Sequence, residues 1–422
     1  MTPAPLRDGR LEGDRRAVLS LLDSMLEYAR RRDYTGWDYA DGMSSRLRRA
    51  LPVEHKWMNL AFQETAKRAP VNVRPLLLVE QRRNFMGTGL FAMANLTAAR
   101  QRDAIGAPAG DVDYREQARG LLEWLLDNRC PGYSGFCGGH THRIQALSGQ
   151  GDPSDADAVS TAIAVRALLD GEELDRRYPE VARTAADFVI EDLNYREVDG
   201  GAKVDYHMNH PDDSYTINAA AMAAHLLLDL YERFGDDWLR DRATAVLDHV
   251  ATLQTDLGGW HYREPPSASH LSMDNHHNGF VIECFQRHGS VVGDGRYADT
   301  LDRALSFYRD VLFDDHGAPN YDETSPYPRD VHAAAQGILV FSSAGEFAFA
   351  RRILDWTLAN LYAGDGRFYF RNYPGFTKRH VLMRWCQAWM AYAVAEYLAE
   401  RFPAERREPR YPPESDHSTM LQ

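Results

Sequence analysis

A glycine–aromatic signature recurs six times along this chain of 422 residues, each copy standing just before an apolar, helix-like stretch. The copies are Gly36-Trp37-Asp38-Tyr39, Gly135-Phe136, Gly200-Gly201 leading to Tyr206, Gly258-Gly259-Trp260-His261-Tyr262, Gly317 leading to Tyr321, and Gly366-Arg367-Phe368-Tyr369. With residues 37, 136, 203, 260, 320 and 368 as markers, the steps are 99, 67, 57, 60 and 48 residues, and only the first is far out of line. A period long enough for two helices and a turn marks stacked helix pairs. Six pairs imply an all-α fold, an (α/α)6 toroid, with short β-turn or hairpin insertions at its mouth. One toroid domain is expected over 1–402, with a flexible Pro- and charge-rich tail over 403–422.

Within each unit the pattern of apolar residues changes. First helices are expected at 16–31, 113–128, 179–193, 238–254, 297–312 and 346–361. In 238–254, Leu239, Ala243, Val246, Leu247, Val250 and Leu253 repeat at helical spacing between charged residues, which describes an outer helix with one wet face. Second helices, near 75–99, 157–169, 217–229, 275–286, 331–341 and 386–399, are apolar or small on every side. Such helices are buried on every side and belong to an inner ring.

Composition narrows the function. The formal net charge of −13 argues against partners held by phosphate neutralisation, so no nucleic-acid role is expected. Lysine occurs only at 56, 67, 203 and 378. Cysteines 130, 137, 284 and 386 are too few and too irregularly spaced for a disulfide scaffold or a zinc framework. No apolar signal core opens the sequence, and no run approaches the ~18 apolar residues of a membrane span, so a cytoplasmic location is expected.

A closed ring would point all six inner-helix N-termini at one mouth, where free backbone N–H groups favour anionic or hydroxyl-rich guests. The residues entering those helices are polar and aromatic. They include His140-Thr141-His142-Arg143, Asp155-Ala156-Asp157, Asp205-Tyr206-His207 with His210, Asp212, Asp213 and Tyr215, Asp274-Asn275-His276-His277, Tyr321-Asp322-Glu323, Tyr327-Pro328-Arg329-Asp330-Val331-His332, and Arg384-Trp385. Of the 16 histidines, at least nine (140, 142, 207, 210, 261, 270, 276, 277 and 332) fall in or beside these junctions. Asp157, Asp274 and Asp330 also sit where helix N-caps belong, a role that needs no chemistry.

The expected chemical centre is Asp274, His276, His277, Tyr327, Arg329, Asp330 and His332, which combine carboxylates, imidazoles, a phenol and a cation. Trp37, Arg74, His142, Asp157, Tyr215, Trp260, Tyr321, Arg384 and Trp385 are expected to bind substrate, the tryptophans as platforms for a sugar ring. The paired histidines are conceivable metal ligands, but no HExxH or similar spacing occurs, and neither a metal nor a cofactor is expected.

The toroid pattern and the Gly-Gly-Trp turn resemble the six-hairpin glycoside hydrolases, uronic-acid lyases and sugar epimerases. More specifically, Met273-Asp274-Asn275-His276-His277-Asn278-Gly279-Phe280 and Tyr327-Pro328-Arg329-Asp330-Val331-His332-Ala333-Ala334-Ala335-Gln336-Gly337 resemble a family associated with polysaccharide and N-glycan assembly, that of the haloarchaeal AglQ-type N-glycosylation proteins. That resemblance implies a step on a hexuronic acid within a glycan or lipid-linked oligosaccharide. An epimerase or isomerase needs a base, an acid and a cation near the uronate. A glycosidase needs two facing carboxyl groups, which Asp157, Asp274 and Asp330 can offer. A uronate lyase and a glycan-binding scaffold remain open. A terpene-cyclase reading lacks its acidic motifs, since Asp212-Asp213 is followed by Thr216 where an aspartate is required.

Overall fold

The stretches that are apolar all round become an inner ring, and those with a single apolar stripe become an outer one. The computed structural model describes residues 5–107, 111–145, 150–207 and 214–404. Its helices are α1 (Pro5–Arg30), α2 (Arg46–Ala50), α3 (Lys56–Arg68), α4 (Phe85–Ala104), α5 (Tyr114–Asp127), α6 (Ala158–Asp170), α7 (Arg177–Arg183), α8 (Ala185–Asp187), α9 (Ile217–Phe234), α10 (Asp237–Thr252), α11 (Asn275–Val292), α12 (Ala298–Val311), α13 (Val331–Ser343), α14 (Phe347–Leu361) and α15 (Trp389–Arg401). Every residue of α9 from Ile217 to Leu230 is buried, whereas α10 buries only Leu239, Ala243, Val246, Leu247, His249 and Val250.

The inner helices pack in a cycle: α4 on α6, α6 on α9, α9 on α11, α11 on α13, α13 on α15, and α15 back on α4. Helices α5, α7, α10, α12 and α14 each lie against the inner helix that precedes them, and α1 lies against α15 and α4. The first element of the chain therefore closes the ring against the last, and the fold is an (α/α)6 toroid.

The recurrent glycines make that closure possible. A side chain at Gly135 would meet the Thr184 carbonyl at 1.8 Å, at Gly201 that of Ala245 at 2.3 Å, and at Gly258 that of Arg303 at 2.6 Å. At Gly317 it would meet the backbone around Arg352 and Ile353 at 2.7 Å, and at Gly366 the Ser24 carbonyl at 2.2 Å. In each case the turn presses onto the backbone of the next outer segment, and the last presses onto α1. No side chain fits such an approach, and Gly258 also needs φ +100°.

Several boundaries differ from the sequence reading. The first outer helix opens at Pro5 rather than 16, and α9 and α11 run on to Phe234 and Val292. The first inner helix starts at Phe85 rather than near 75, because Asn84 caps it through Gly87 N and residues 75–84 form a turn and a short strand. The outer helix expected over 179–193 is broken into α7, α8 and a π-helical turn at Phe188–Asp192. The last inner helix opens with a π-helical turn, Met383–Ala388, which leads into α15. The long first step reflects α2 and α3, an excursion inserted between the first turn and α4.

Short antiparallel pairs stand before the inner helices: Thr35–Gly36 with Arg82–Arg83, Ile144–Gln145 with Gln150–Gly151, Tyr215–Thr216 with Arg263–Glu264, and Arg329–Asp330 with Arg371–Tyr373 and Phe376–Lys378. A further hairpin joins Arg196–Val198 to Gly201–Lys203. All four cysteines are free, buried thiols. Among the described residues, no helix is long and apolar enough to cross a membrane. The tail expected at 403–422 lies almost wholly outside the described residues, as do His210, Asp212 and Asp213.

Candidate active site

Three of the inner helices begin with an aspartate whose carboxylate accepts from the first turn. Asp157 accepts from Ser160 N at 2.6 Å and Ser160 Oγ at 2.8 Å, Asp274 from His277 N at 3.3 Å, and Asp330 from His332 N at 2.9 Å. Capping fixes where these helices start and so aims the side chains beside each cap into the mouth.

At α11 the cap does more. Asp274 is buried and lies 3.1 Å from His276 Nδ1 and 2.8 Å from His277 Nδ1. An ionised carboxylate only accepts, so both Nδ1 atoms donate to it and the Nε2 atoms are left for other partners. Burial alone would raise the Asp274 pKa, but the two imidazoles hold it well below the usual carboxylate range. His277 is pulled down by burial, partly offset by Asp274.

The next helix contributes His332, whose ring lies 4.9 Å from that of His276, stacks on Trp389 at 4.6 Å and meets Trp385 edge-on at 4.7 Å. Neither nitrogen of His332 finds a protein partner. Burial, with help from His276 and Arg384, holds it well below the ordinary imidazole value, so it is neutral. A buried polar ring without a partner is uncommon and marks a place where a guest can supply one.

The π-helical turn before α15 delivers Arg384 and Trp385. Trp385 Nε1 donates to Asp330 at 2.8 Å, and its ring stacks on Tyr39 at 4.5 Å. Arg371 Nε donates to the other Asp330 oxygen at 2.6 Å. Arg384 Nε donates to Asp38 at 2.8 Å, and Asn84 Nδ2 reaches the same Asp38 oxygen at 3.0 Å. The Arg384 charge outweighs the burial of Asp38 and lowers its pKa. Gly87 of α4 gives Arg384 room, since a Cβ there would stand 3.3 Å from Arg384 Cβ.

A second pair of imidazoles shares the Arg384 field. His140 and His142 lie 5.7 Å apart, and His140 Nδ1 and His142 Nε2 lack protein partners. Burial brings His142 down to about 3 against the opposing pull of Asp38. Phenols complete the wall: Tyr262 lies 4.5 Å from His277 with its pKa raised by burial, and burial pushes Tyr321 up to about 12.

The fold thus gathers His142, Asp157, Asp274, His276, His277, Tyr321, Asp330, His332, Arg384 and Trp385. Six other expected residues are turned to different partners. Arg329 pairs with Asp314 at 2.8 Å and lies over Trp356 of the outer helix α14, with Tyr327 against its other side, because alternation along the strand sends its side chain outward. Trp260 donates to the Val250 carbonyl and stacks on Phe285, which fills the core of its turn. Tyr215 packs edge-on against His249 of α10. Trp37 donates to the Val79 carbonyl, and Arg74 pairs with Asp41, so both fasten the excursion before α4. Sequence reasoning missed Asp38, Asn84 and Arg371, whose partners lie far away in the chain. The one available signal for Asp38 was its place in the first glycine–aromatic copy.

The ligand atoms of Asp274, His276 and His277 lie within 4.8 Å of one another, a spacing from which a metal ion can be held. An ion bound through Nδ1 at about 2.0–2.2 Å would replace the N–H contact of that ring to the carboxylate.

No family model matches the chain, and no curated protein matches it. Solved structures do match in fold. A sugar epimerase from a ruminal bacterium superposes with TM-score 0.58 at 15% identity, covering 76% of this chain and 90% of that one. A D-mannose isomerase gives TM-score 0.54 at 9% identity over 74% and 86%. The family 76 glycoside hydrolase (mannosidase) Bt3792 from Bacteroides thetaiotaomicron VPI-5482 gives 0.58 at 11% identity over 91% and 99%. The class defined is the six-hairpin (α/α)6 toroid, and at these identities the likeness is one of fold.

Proposed function

We propose that the chain is a carbohydrate-active epimerase or isomerase that moves a proton on a hexuronic acid residue of a glycan or lipid-linked oligosaccharide. The observation that carries this reading is the convergence of His276, His277 and His332, two held at Nδ1 by Asp274 and one with both nitrogens unpartnered. A neutral imidazole is the base for a carbon acid at neutral pH. Tyr262 and Tyr321 keep their protons and are the donors available to return one.

The reaction removes the proton at C5, next to the uronate carboxylate, and the electron pair moves onto that carboxylate. Stabilising the resulting charge needs a fixed cation. Arg384 is held by Asp38 through Nε, and its Nη groups make no further hydrogen bond among the described residues. The Trp385–Tyr39 stack offers a flat wall for the sugar ring. Protonation on the opposite face completes inversion.

A glycosidase is the second reading, supported by the coverage of the mannosidase fold. It needs one protonated and one ionised carboxyl across the bond. The carboxylates at this mouth are each engaged by caps, imidazoles or cations, and Asp274 and Asp38 are pulled toward the ionised form. That balance favours imidazole chemistry.

Incubation with uronic-acid glycans in D2O, followed by NMR, tests both. Deuterium at C5 without cleavage is expected. A new reducing end would select the hydrolase, and neither change would leave a glycan-binding protein. The compartment, proposed as the cytoplasm, is tested by fractionating the native cells.

A further inference from the structure

The excursion between the first glycine–aromatic turn and α4 has a surface unlike the rest of the molecule. Leu47, Leu51, Val53, Trp57, Val71, Leu76 and Leu78 are all exposed large hydrophobics, and the only others are Trp238, Leu257 and Phe376 among the described residues. Single exposed apolar side chains are ordinary, but seven within one excursion are not. Leu76 is 78% exposed, Val71 68% and Trp57 65%.

These residues sit on a tied unit. Ser45 and Arg46 are tied to the 77–79 turn: Ser45 Oγ donates to the Leu77 carbonyl, Arg46 N donates to the Leu78 carbonyl at 3.0 Å, and Ser45 bridges Val79. One face of α3 (Asn59, Gln63 and Ala66) is buried, with Asn59 and Gln63 bonded to Gln145 on the strand 144–145. The opposite face carries Trp57 and Arg68 outward. Lys378 of the strand 376–378 donates to the Lys67 carbonyl at 2.7 Å, which ties the end of α3 to that strand.

Charge identifies the occupant. Residues 42–83 hold nine Arg and Lys against three Glu, a local net charge of +6 in a chain whose total is −13. Arg48 and Arg74 are buried, on Glu54 and Asp41, so the exposed excess is smaller, and Arg46 and Arg49 share the single carboxylate of Glu80. Two of the chain's four lysines lie here. A second copy of this acidic chain would bring a patch of the same positive sign to a two-fold contact, which repels. Leucine, valine and tryptophan rimmed by Arg and Lys suit a surface that is apolar below and anionic above.

We propose that the excursion over residues 46–78 docks the toroid, mouth side, onto an anionic phospholipid membrane. The apolar side chains enter the headgroup boundary. Arg46 and Arg49, which share Glu80, and Arg68, which pairs with Glu64, exchange these exposed ion pairs for lipid phosphates, beside Lys56. This attachment is peripheral, and it does not depend on the chemistry proposed for the mouth.

Vesicle flotation tests it with the full chain. Phosphatidylcholine vesicles containing about one-third phosphatidylglycerol are compared with pure phosphatidylcholine. Binding to the anionic vesicles is expected, falling about tenfold or more as salt is raised to ~0.5 M. The pair Trp57→Ser/Leu76→Ser and the pair Arg46→Glu/Arg68→Glu are each expected to lower binding about tenfold or more. All four side chains are exposed, so circular dichroism should show an unchanged fold. Failure to float with anionic vesicles would overturn the proposal. So would equal binding to neutral vesicles, or loss of a dimer in sedimentation by Trp57→Ser/Leu76→Ser with vesicle binding unchanged.

Discussion

Asp274 is both a helix cap and the orienting partner of two imidazoles, and substitution can separate those roles. Asn caps nearly as well as Asp, so Asp274→Asn should fold. Its amide cannot accept from both Nδ1–H groups, so turnover should fall about 10²-fold or more. Circular dichroism and the D2O assay read the two effects, and turnover within about twofold of wild type would leave a cap alone. His332→Phe makes the complementary test. The stack on Trp389 survives and an unpartnered buried ring is replaced by an apolar one, so denaturant stability should be unchanged or higher while activity is lost. The pH profile has a definite sign. The bases must be neutral, and burial lowers both His277 and His332 below 6.5. The acid limb of kcat/KM should therefore lie below 6.5, and a limb above that value would mean another group is the base.

Among the elements, the seam between α11 and α13 decides whether His276 and His332 meet. The two helices approach closely at Gly279, where a Cβ would stand 2.1 Å from Gln336 Cγ and 2.6 Å from the Tyr308 hydroxyl. Tyr308 in turn donates to Asn275 beside the cap of α11. Gly279→Ala should cost about 1–3 kcal/mol by overpacking, measured by denaturant unfolding, and should lower turnover by shifting α11. The opposite seam is set by the π-helical turn at Met383–Ala388, which brings Arg384 and Trp385 to the mouth together. Single π-helical turns of this kind recur at functional sites.

Across the whole molecule, the inner ring encloses charge away from the mouth. Arg166 bonds Tyr392 at 3.0 Å and contacts His225, while Arg287 pairs with Asp229 at 2.7 Å. Glu396 shares this space, and burial together with Asp170 pushes its pKa up to about 8 from 4.5. A carboxyl raised on folding stabilises fully below its unfolded pKa and loses that contribution as pH climbs toward about 8. Asp38, Asp229 and Asp274 are lowered on folding, so they stabilise above about 3.8 and fail as pH falls further. Buried His142, His225, His277 and His332 are lowered as well, so each loses stability as pH falls below 6.5. Tm should therefore peak near neutral pH and fall on both sides, and Glu396→Gln should flatten the alkaline decline. An unchanged decline in the variant would place its origin elsewhere.

The sequence by itself determined the toroid. Its sixfold glycine–aromatic period, the contrast between striped and uniformly apolar helices, and the Asp caps are local properties, written in spacing and side-chain chemistry. Even the glycines were legible as a repeat, although their reason, contact with the next outer backbone, was not. Only the tertiary structure decided which mouth residues work together. Asp38 and Arg384 stand 346 residues apart, and Trp385 reaches Asp330 across 55. Arg329 and Asp330 are adjacent in sequence, yet one faces an outer helix and the other the mouth. Periodicity fixes which face of an element is buried, but the partner of a side chain depends on how the closed ring rotates each helix and where each turn ends, and those are properties of the packed whole.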